Sequence, residues 1–279
     1  MAIVVFNFMA FIFVIINYQQ ELSMKYLFLV FFCISTNIIA QKVTVNVSIP
    51  PLQGIVESVG GTYVDVSSLM SDKSDPHVYA VSPGQINALR NSDMVVIVGT
   101  LHFEQQMLKL RKNLVNISKG VIQENEHWWL STDFLRTAAI KIADELILKL
   151  PAKKNEIEVN KQCYLSKLDN LVKEMKSRTQ NLENRTFYSY HGVFYYAAKR
   201  YNMKEINIEV ENRTPTPREL LGIIKQAKKD RVRVIFMQEQ FNDRPAKMIS
   251  ERTGAKIVRV NPLQKDTIDL LKKFTQSLK

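Results

Sequence analysis

The sequence predicts an α/β protein of two lobes with parallel sheets, joined by a single long rigid helix. Three observations predict it. Short β-rich runs alternate with helical stretches, in two series, at spacings that suit parallel β-α units. Runs such as Met94–Val98 (MVVIV) are continuously apolar, as a strand covered on both faces must be. Between the two series, Lys153 to about Gln180 is helical in pattern and contains neither Gly nor Pro.

The chain opens on a targeting segment. Residues 2–17 are almost all apolar, and a second start-like signal follows at Met24-Lys25. An apolar run, Tyr26–Phe32, then leads to Ile38-Ile39-Ala40. A basic n-region, a short h-region and Ala before the cut predict a signal peptide over residues 1–40, read from Met24 and cleaved after Ala40. Residues 1–23 read as an upstream extension; the run 2–17 falls short of the ~20 apolar residues of a spanning helix. Phe31-Phe32 are too bulky for the usual lipoprotein site at Cys33, so lipid anchoring is not favoured.

In the first lobe, residues 41–151, Val43–Val47 reads as a strand, Pro50–Val59 as a helix and Tyr63–Leu69 as a strand. Pro83–Asn91 reads as a helix, Met94–Val98 as a buried strand, Phe103–Lys112 as a helix and Gly120–Ile122 as a short strand. Asp133–Leu150 carries apolar residues at helical spacing and stops at Pro151. The linker, residues 152–182, has apolar teeth at Ile157, Tyr164, Leu168, Leu171 and Met175, and predicts one helix of ~40 Å at ~1.5 Å per residue. A flexible hinge would be rich in Gly and Ser instead. In the second lobe, residues 183–279, strands are expected at Thr186–Tyr190, Ile206–Val210, Val232–Met237 and Lys256–Val260. Helices are expected at Val193–Tyr201, Pro217–Asp230, Arg244–Thr253 and Thr267–Leu278.

Composition narrows the function. After cleavage only Cys163 remains of the two cysteines, so no intrachain disulfide forms and the core must hold the fold. The net charge of +11 is scattered, with no aromatic-basic stripe; it reads as a solvated surface, one able to face anionic lipid, and not as a nucleic-acid site. The chain has four histidines, His77, His102, His127 and His191. His77, His127 and His191 stand at edges of regular structure, where open α/β sheets collect ligands. Three neutral imidazoles make a nitrogen site suited to Zn²⁺, with a carboxylate or water completing a tetrahedron. Taken singly, each is as well explained as a loop or capping residue. Trp128 and Trp129 read as walls of a cleft or as core, Glu104 as an acceptor holding a loop or a histidine ring, and Cys163 as inert.

The segments SDPHVYAVSP, VVIVGTLHFE, EHWWLS, YSYHGVFYYAAKRYN, TPTPREL and VIFMQEQF…GAKIVRVNPL together resemble the cluster A-I solute-binding family, the extracytoplasmic metal-binding proteins of zinc and manganese ABC importers. The resemblance covers essentially residues 41–279. It implies one metal in the cleft between the lobes, with His77 and His127 as first-lobe ligands and His191 as the second-lobe ligand. Histidine at the third position resembles the zinc members, whereas LHFE resembles the manganese type. Members of the family also carry a carboxylate ligand from the second lobe. Glu239 after its strand and Asp266 in VNPLQKD are the positions to consider for it, although VNPLQKD is short and Glu239 suits a supporting role equally. The resemblance implies a monomer that captures Zn²⁺, or alternatively Mn²⁺ or iron, and hands it to a membrane permease. A zinc hydrolase would need an open metal position and a general base, and no HExxH run is present. A metal-binding adhesin is the remaining alternative. His102 is expected to be structural.

Overall fold

The computed structural model describes residues 42–110 and 114–278; the expected signal region, residues 1–40, lies outside them. Among the described residues no helix is long and apolar enough to cross a membrane.

The first sheet holds β1 (Val43–Val47), β2 (Val64–Ser68), β3 (Met94–Ile97) and β4 (Val115–Asn116) in the order β2-β1-β3-β4, all parallel. β3 is buried at every position. Its connecting helices are α1 (Pro50–Gly60), α2 (Pro83–Asn91) and α3 (Glu104–Leu110). Pro83 opens α2, and Ser82 with Gln85 forms a reciprocal capping box, which satisfies two otherwise orphaned donors. One expectation fails. The last strand of this sheet is Val115–Asn116, in register with Val96 and Ile97, and not Gly120–Ile122. Gly120 takes φ +84°, a left-handed conformation that ends an extended run, and Ile122 is 93% exposed. Two adjacent apolar residues there imitate a buried strand in sequence alone.

The second sheet repeats the plan: β5 (Thr186–Ser189), β6 (Lys204–Asn207), β7 (Val234–Gln238) and β8 (Lys256–Val260) lie in the order β6-β5-β7-β8, again parallel.

Between the sheets run α4 (Thr132–Lys149), a 3-10 turn opened by Pro151, and α5 (Lys154–Gln180) of 27 residues, close to 40 Å at ~1.5 Å per residue. The buried side chains of α5, among them Ile157, Tyr164, Leu168, Leu171 and Met175, recur at three- and four-residue spacing, so the charged helix keeps one apolar face. That face packs on α1 and α4 of the first lobe. The rest of the second lobe is α6 (Tyr195–Arg200), α7 (Pro217–Lys229), α8 (Arg244–Thr253) and the closing α9 (Thr267–Ser277). α9 packs on α5, and its Phe274 stacks on Phe194 at 4.2 Å and meets Phe187 and Phe236 at 5.2 and 5.0 Å. One apolar cluster therefore runs from Val45 and Val96 through Leu168 and Met175 to Phe236 and Phe274.

Candidate metal centre

His191 stands just beyond β5, where the strand order of the second sheet reverses between β5 and β7, the place where α/β sheets leave room for ligands. Its loop is fixed from several sides. Glu205 accepts from Ser189 Oγ at 2.7 Å and from the Val193 and Phe194 N–H groups at 3.1 Å each. Gln238, buried at the end of β7, accepts from the His191 N–H at 3.1 Å and donates to its carbonyl at 2.6 Å. A side chain at Gly192 would place its Cβ 2.3 Å from Asn207 Oδ1, so any larger residue there would have to displace the Asn207 amide. The ring is buried, and its Nδ1 faces the Glu209 carboxylate. Burial alone would push the imidazolium down; the hydrogen bond and charge of Glu209, with Glu126 and Asp75 adding, outweigh it and raise its pKa.

His127 lies in the loop that leads from β4 to α4. Asn125 Oδ1 accepts from its backbone N–H at 2.9 Å and faces its Nδ1 at 3.2 Å. Burial, and then the nearby His191 and His77, hold this imidazole well below the usual histidine range, so it is neutral. Both inner rings thus present Nδ1 to an oxygen and turn Nε2 inward, and the two Nε2 atoms are 3.0 Å apart. This close approach of two ring nitrogens leaves both directed at the place that a cation would take.

His77 comes from the long loop between β2 and α2. Asp75 Oδ1 accepts from the His77 N–H at 2.9 Å, the local turn that Asp75-Pro76 suggested. The side chain of His77 is 31% exposed, with Nδ1 3.6 Å from Glu126 Oε2. Its ring lies 5.2 Å from that of His191 and 5.8 Å from that of His127. One ligand atom from each of His77, Glu126, His127 and His191 falls within 4.8 Å of the others. A tetrahedron with ~2.1 Å bonds has edges of ~3.4 Å. The buried pair already has that scale, and a small inward shift of the exposed pair would bring the set to it. The space they share, partly open to solvent, is about 30 Å³ and is walled by Pro76, Trp129, Phe241 and Leu263, the scale of one ion.

Glu126, next to His127, joins this group although nothing in the sequence marks it as a ligand. Glu239 and Asp266, the second-lobe carboxylates expected from the sequence, lie outside it. Glu239 is exposed, and its N–H pairs with Val260 O at 3.3 Å. Asp266 caps α9, accepting from the Asp269 N–H at 2.9 Å, and borders a different cavity with Tyr164 and Lys167. His102 is exposed in the turn before α3 and also lies outside the group. Glu104 holds a loop and not a histidine: it accepts from the N–H groups of Val98, Gly99 and Leu101 at 2.8, 2.7 and 3.1 Å. Trp129 does wall the site, 5.1 Å from the His127 ring, and its Nε1–H donates across the cleft to Pro262 O at 3.0 Å. Trp128 instead packs on Phe134 at 5.0 Å.

Known proteins resemble this chain over most of its described length. The family model described as zinc-uptake complex component A, periplasmic, matches residues 45–279. The manganese ABC transporter substrate-binding lipoprotein PsaA of Streptococcus anginosus is 26% identical over 246 residues, 78% of this chain and 79% of the relative. The metal ABC transporter substrate-binding lipoprotein ScbA of Streptococcus cristatus is 27% identical, covering 80% of each. A crystal structure of ZnuA superposes with a TM-score of 0.77 at 31% identity, over 85% of this chain and 97% of that one. A ZnuA deletion mutant with zinc bound superposes with a TM-score of 0.75, also at 31% identity, over 85% of this chain and 96% of that one.

Proposed function

The chain belongs to the zinc-uptake complex component A family, and from that premise we propose that it captures Zn²⁺ outside the cytoplasm, with His77, His127 and His191 as ligands and Glu126 as the fourth. As a member of the family it is the substrate-binding component of a metal ABC importer, not an enzyme, and it passes its ion to a membrane permease. The observation that carries the zinc reading is the donor set: three imidazoles, two of them buried with Nε2 turned inward, and one exposed carboxylate. Imidazole nitrogen in a tetrahedral set suits zinc, whereas manganese favours oxygen. The two oxygens behind the inner rings, on Asn125 and Glu209, orient the ligands and strengthen their basicity. Binding of the ion requires both imidazoles free of a proton at Nε2, so capture competes with protonation.

The second reading is manganese, favoured by the manganese-named relative at 26% identity. Competition decides between them. The protein is stripped with chelator, offered both ions together, and its metal content measured. One equivalent of zinc kept in preference to manganese supports the proposal; preference for manganese overturns the choice of ion and leaves the importer role intact.

A further inference from the structure

The loop that carries His77 is largely held by itself. Ser74 N–H donates to Ser71 O at 3.1 Å, Lys73 N–H to Ser71 Oγ at 3.2 Å, and His77 N–H to Asp75 Oδ1 at 2.9 Å. Between Ser71 and Val78, apart from the contact of His77 with Glu126, its hydrogen bonds to the rest of the described residues converge on Asp72. Gln240 Nε2 donates to the Asp72 carbonyl at 2.8 Å, and Asn261 Nδ2 donates to the same oxygen at 3.1 Å. Gln240 also donates to Asn261 Oδ1 at 2.9 Å, an oxygen that accepts from the Leu263 N–H at 3.0 Å as well. Gln240 follows β7 and Asn261 follows β8, so both amides belong to the second lobe while Asp72 belongs to the first. Gln240 lines the same small cavity as the three histidines.

We propose that Gln240 and Asn261 are positioning residues: a clasp across the cleft that grips the Asp72 main chain, keeps His77 in coordinating position, and so sets how long the captured ion stays. The inference rests on the capture reading above. The carbonyl is the principal acceptor, and the Asp72 side chain adds only a 3.4 Å contact to Asn261. The clasp is therefore indifferent to the side chain at position 72. Opening it frees one ligand of four, the step at which an ion bound by several groups begins to leave. Affinity differences between closely related complexes fall mainly on the dissociation rate.

The test is stopped-flow transfer of zinc from the loaded protein to excess chelator. Gln240→Ala removes the donor, and Gln240→Glu removes it at constant shape, so one variant stands if the other folds poorly. Each is expected to keep one equivalent of zinc and to release it roughly tenfold faster, the effect of one or two lost hydrogen bonds. Association is expected to change by less than about threefold, since mutants of one site differ mainly in release. Asp72→Ala is expected to stay within about twofold of wild type, because the bond to the main chain survives. In a His77→Ala background, Gln240→Ala should add nothing, because a clasp that acts through His77 has nothing left to hold. Wild-type release from both Gln240 variants overturns the clasp, and so does an equal acceleration with His77 already removed. A wild-type protein that retains no divalent ion defeats the capture reading instead.

Discussion

His191 stands at the switch point of its sheet, behind a buried glutamine, a glutamate that ties down its loop and a carboxylate on its own ring. His77 stands after β2, an outer strand of the other sheet, on a loop whose bonds are mostly internal and whose ring is partly in solvent. Both are imidazoles offered to the same cavity. With the ligand set proposed above, the contrast divides the centre into a preformed part, His127 and His191, and an adjustable part, His77 and Glu126. Preorganised ligands spare the ordering cost at the moment of binding; loosely held ones give the ion a way in and out. A protein that must both capture and surrender its cargo needs the two kinds together.

Mutations can break that contrast. The largest loss is expected at the preformed part: His191→Ala or His127→Ala should weaken zinc binding by roughly a hundred- to a thousandfold, one ligand's share of a site worth ~10–16 kcal/mol. Chelator competition measures it, and a loss no greater than that from His77→Ala would erase the distinction. His77→Ala should cost less, on the order of tenfold to a hundredfold in affinity, because a partly exposed ring is replaced by water.

Behind His191, Glu209→Gln should lower affinity at neutral pH about tenfold, as outer-shell partners do, and should also move its pH dependence. The folded pKa of His191 is raised, so its proton competes with the ion from somewhat above ~6.5 downward, and affinity falls as pH falls through that region. Without Glu209 the proton is held less firmly, and the onset of this loss should shift to lower pH in a titration of bound zinc. An onset that stays in place would mean that Glu209 does not govern the proton.

Glu126→Gln should cost only a few-fold, because a carboxylate with 52% of its side chain exposed is screened by solvent and salt. His102→Ala should leave binding unchanged.

The alternation of runs and the Gly- and Pro-free helix were enough to read the linker and both sheets except the last strand of the first, since those elements follow from local periodicity. The three histidines were legible for a related reason: each abuts a boundary marked by its neighbours, Asp75-Pro76 before His77 and Gly192 after His191. The partners of those rings were not. Glu209 lies eighteen residues beyond His191, and Gln238 forty-seven beyond it; nothing near either marks it as support, because support is created by the pairing of strands. Glu126 carries no mark of its own either, since an exposed loop carboxylate beside a histidine looks like any other in sequence. The strand misplaced at Gly120–Ile122 shows the limit of hydrophobicity as a guide, since an exposed Ile122 and a buried one look alike in sequence.

The apolar face of α5 is shared property: α1 and α4 cover part of it, and α9, the last helix of the chain, covers another part. The linker helix therefore cannot bury that face completely until α9 has docked on it. Heating should accordingly melt both lobes in one cooperative transition, with calorimetric and van't Hoff enthalpies in agreement, and removal of α9 should abolish the fold of the whole molecule and not of its second lobe alone. For a chain that crosses a membrane before folding, the linker between the lobes stays incompletely packed until α9 has followed it.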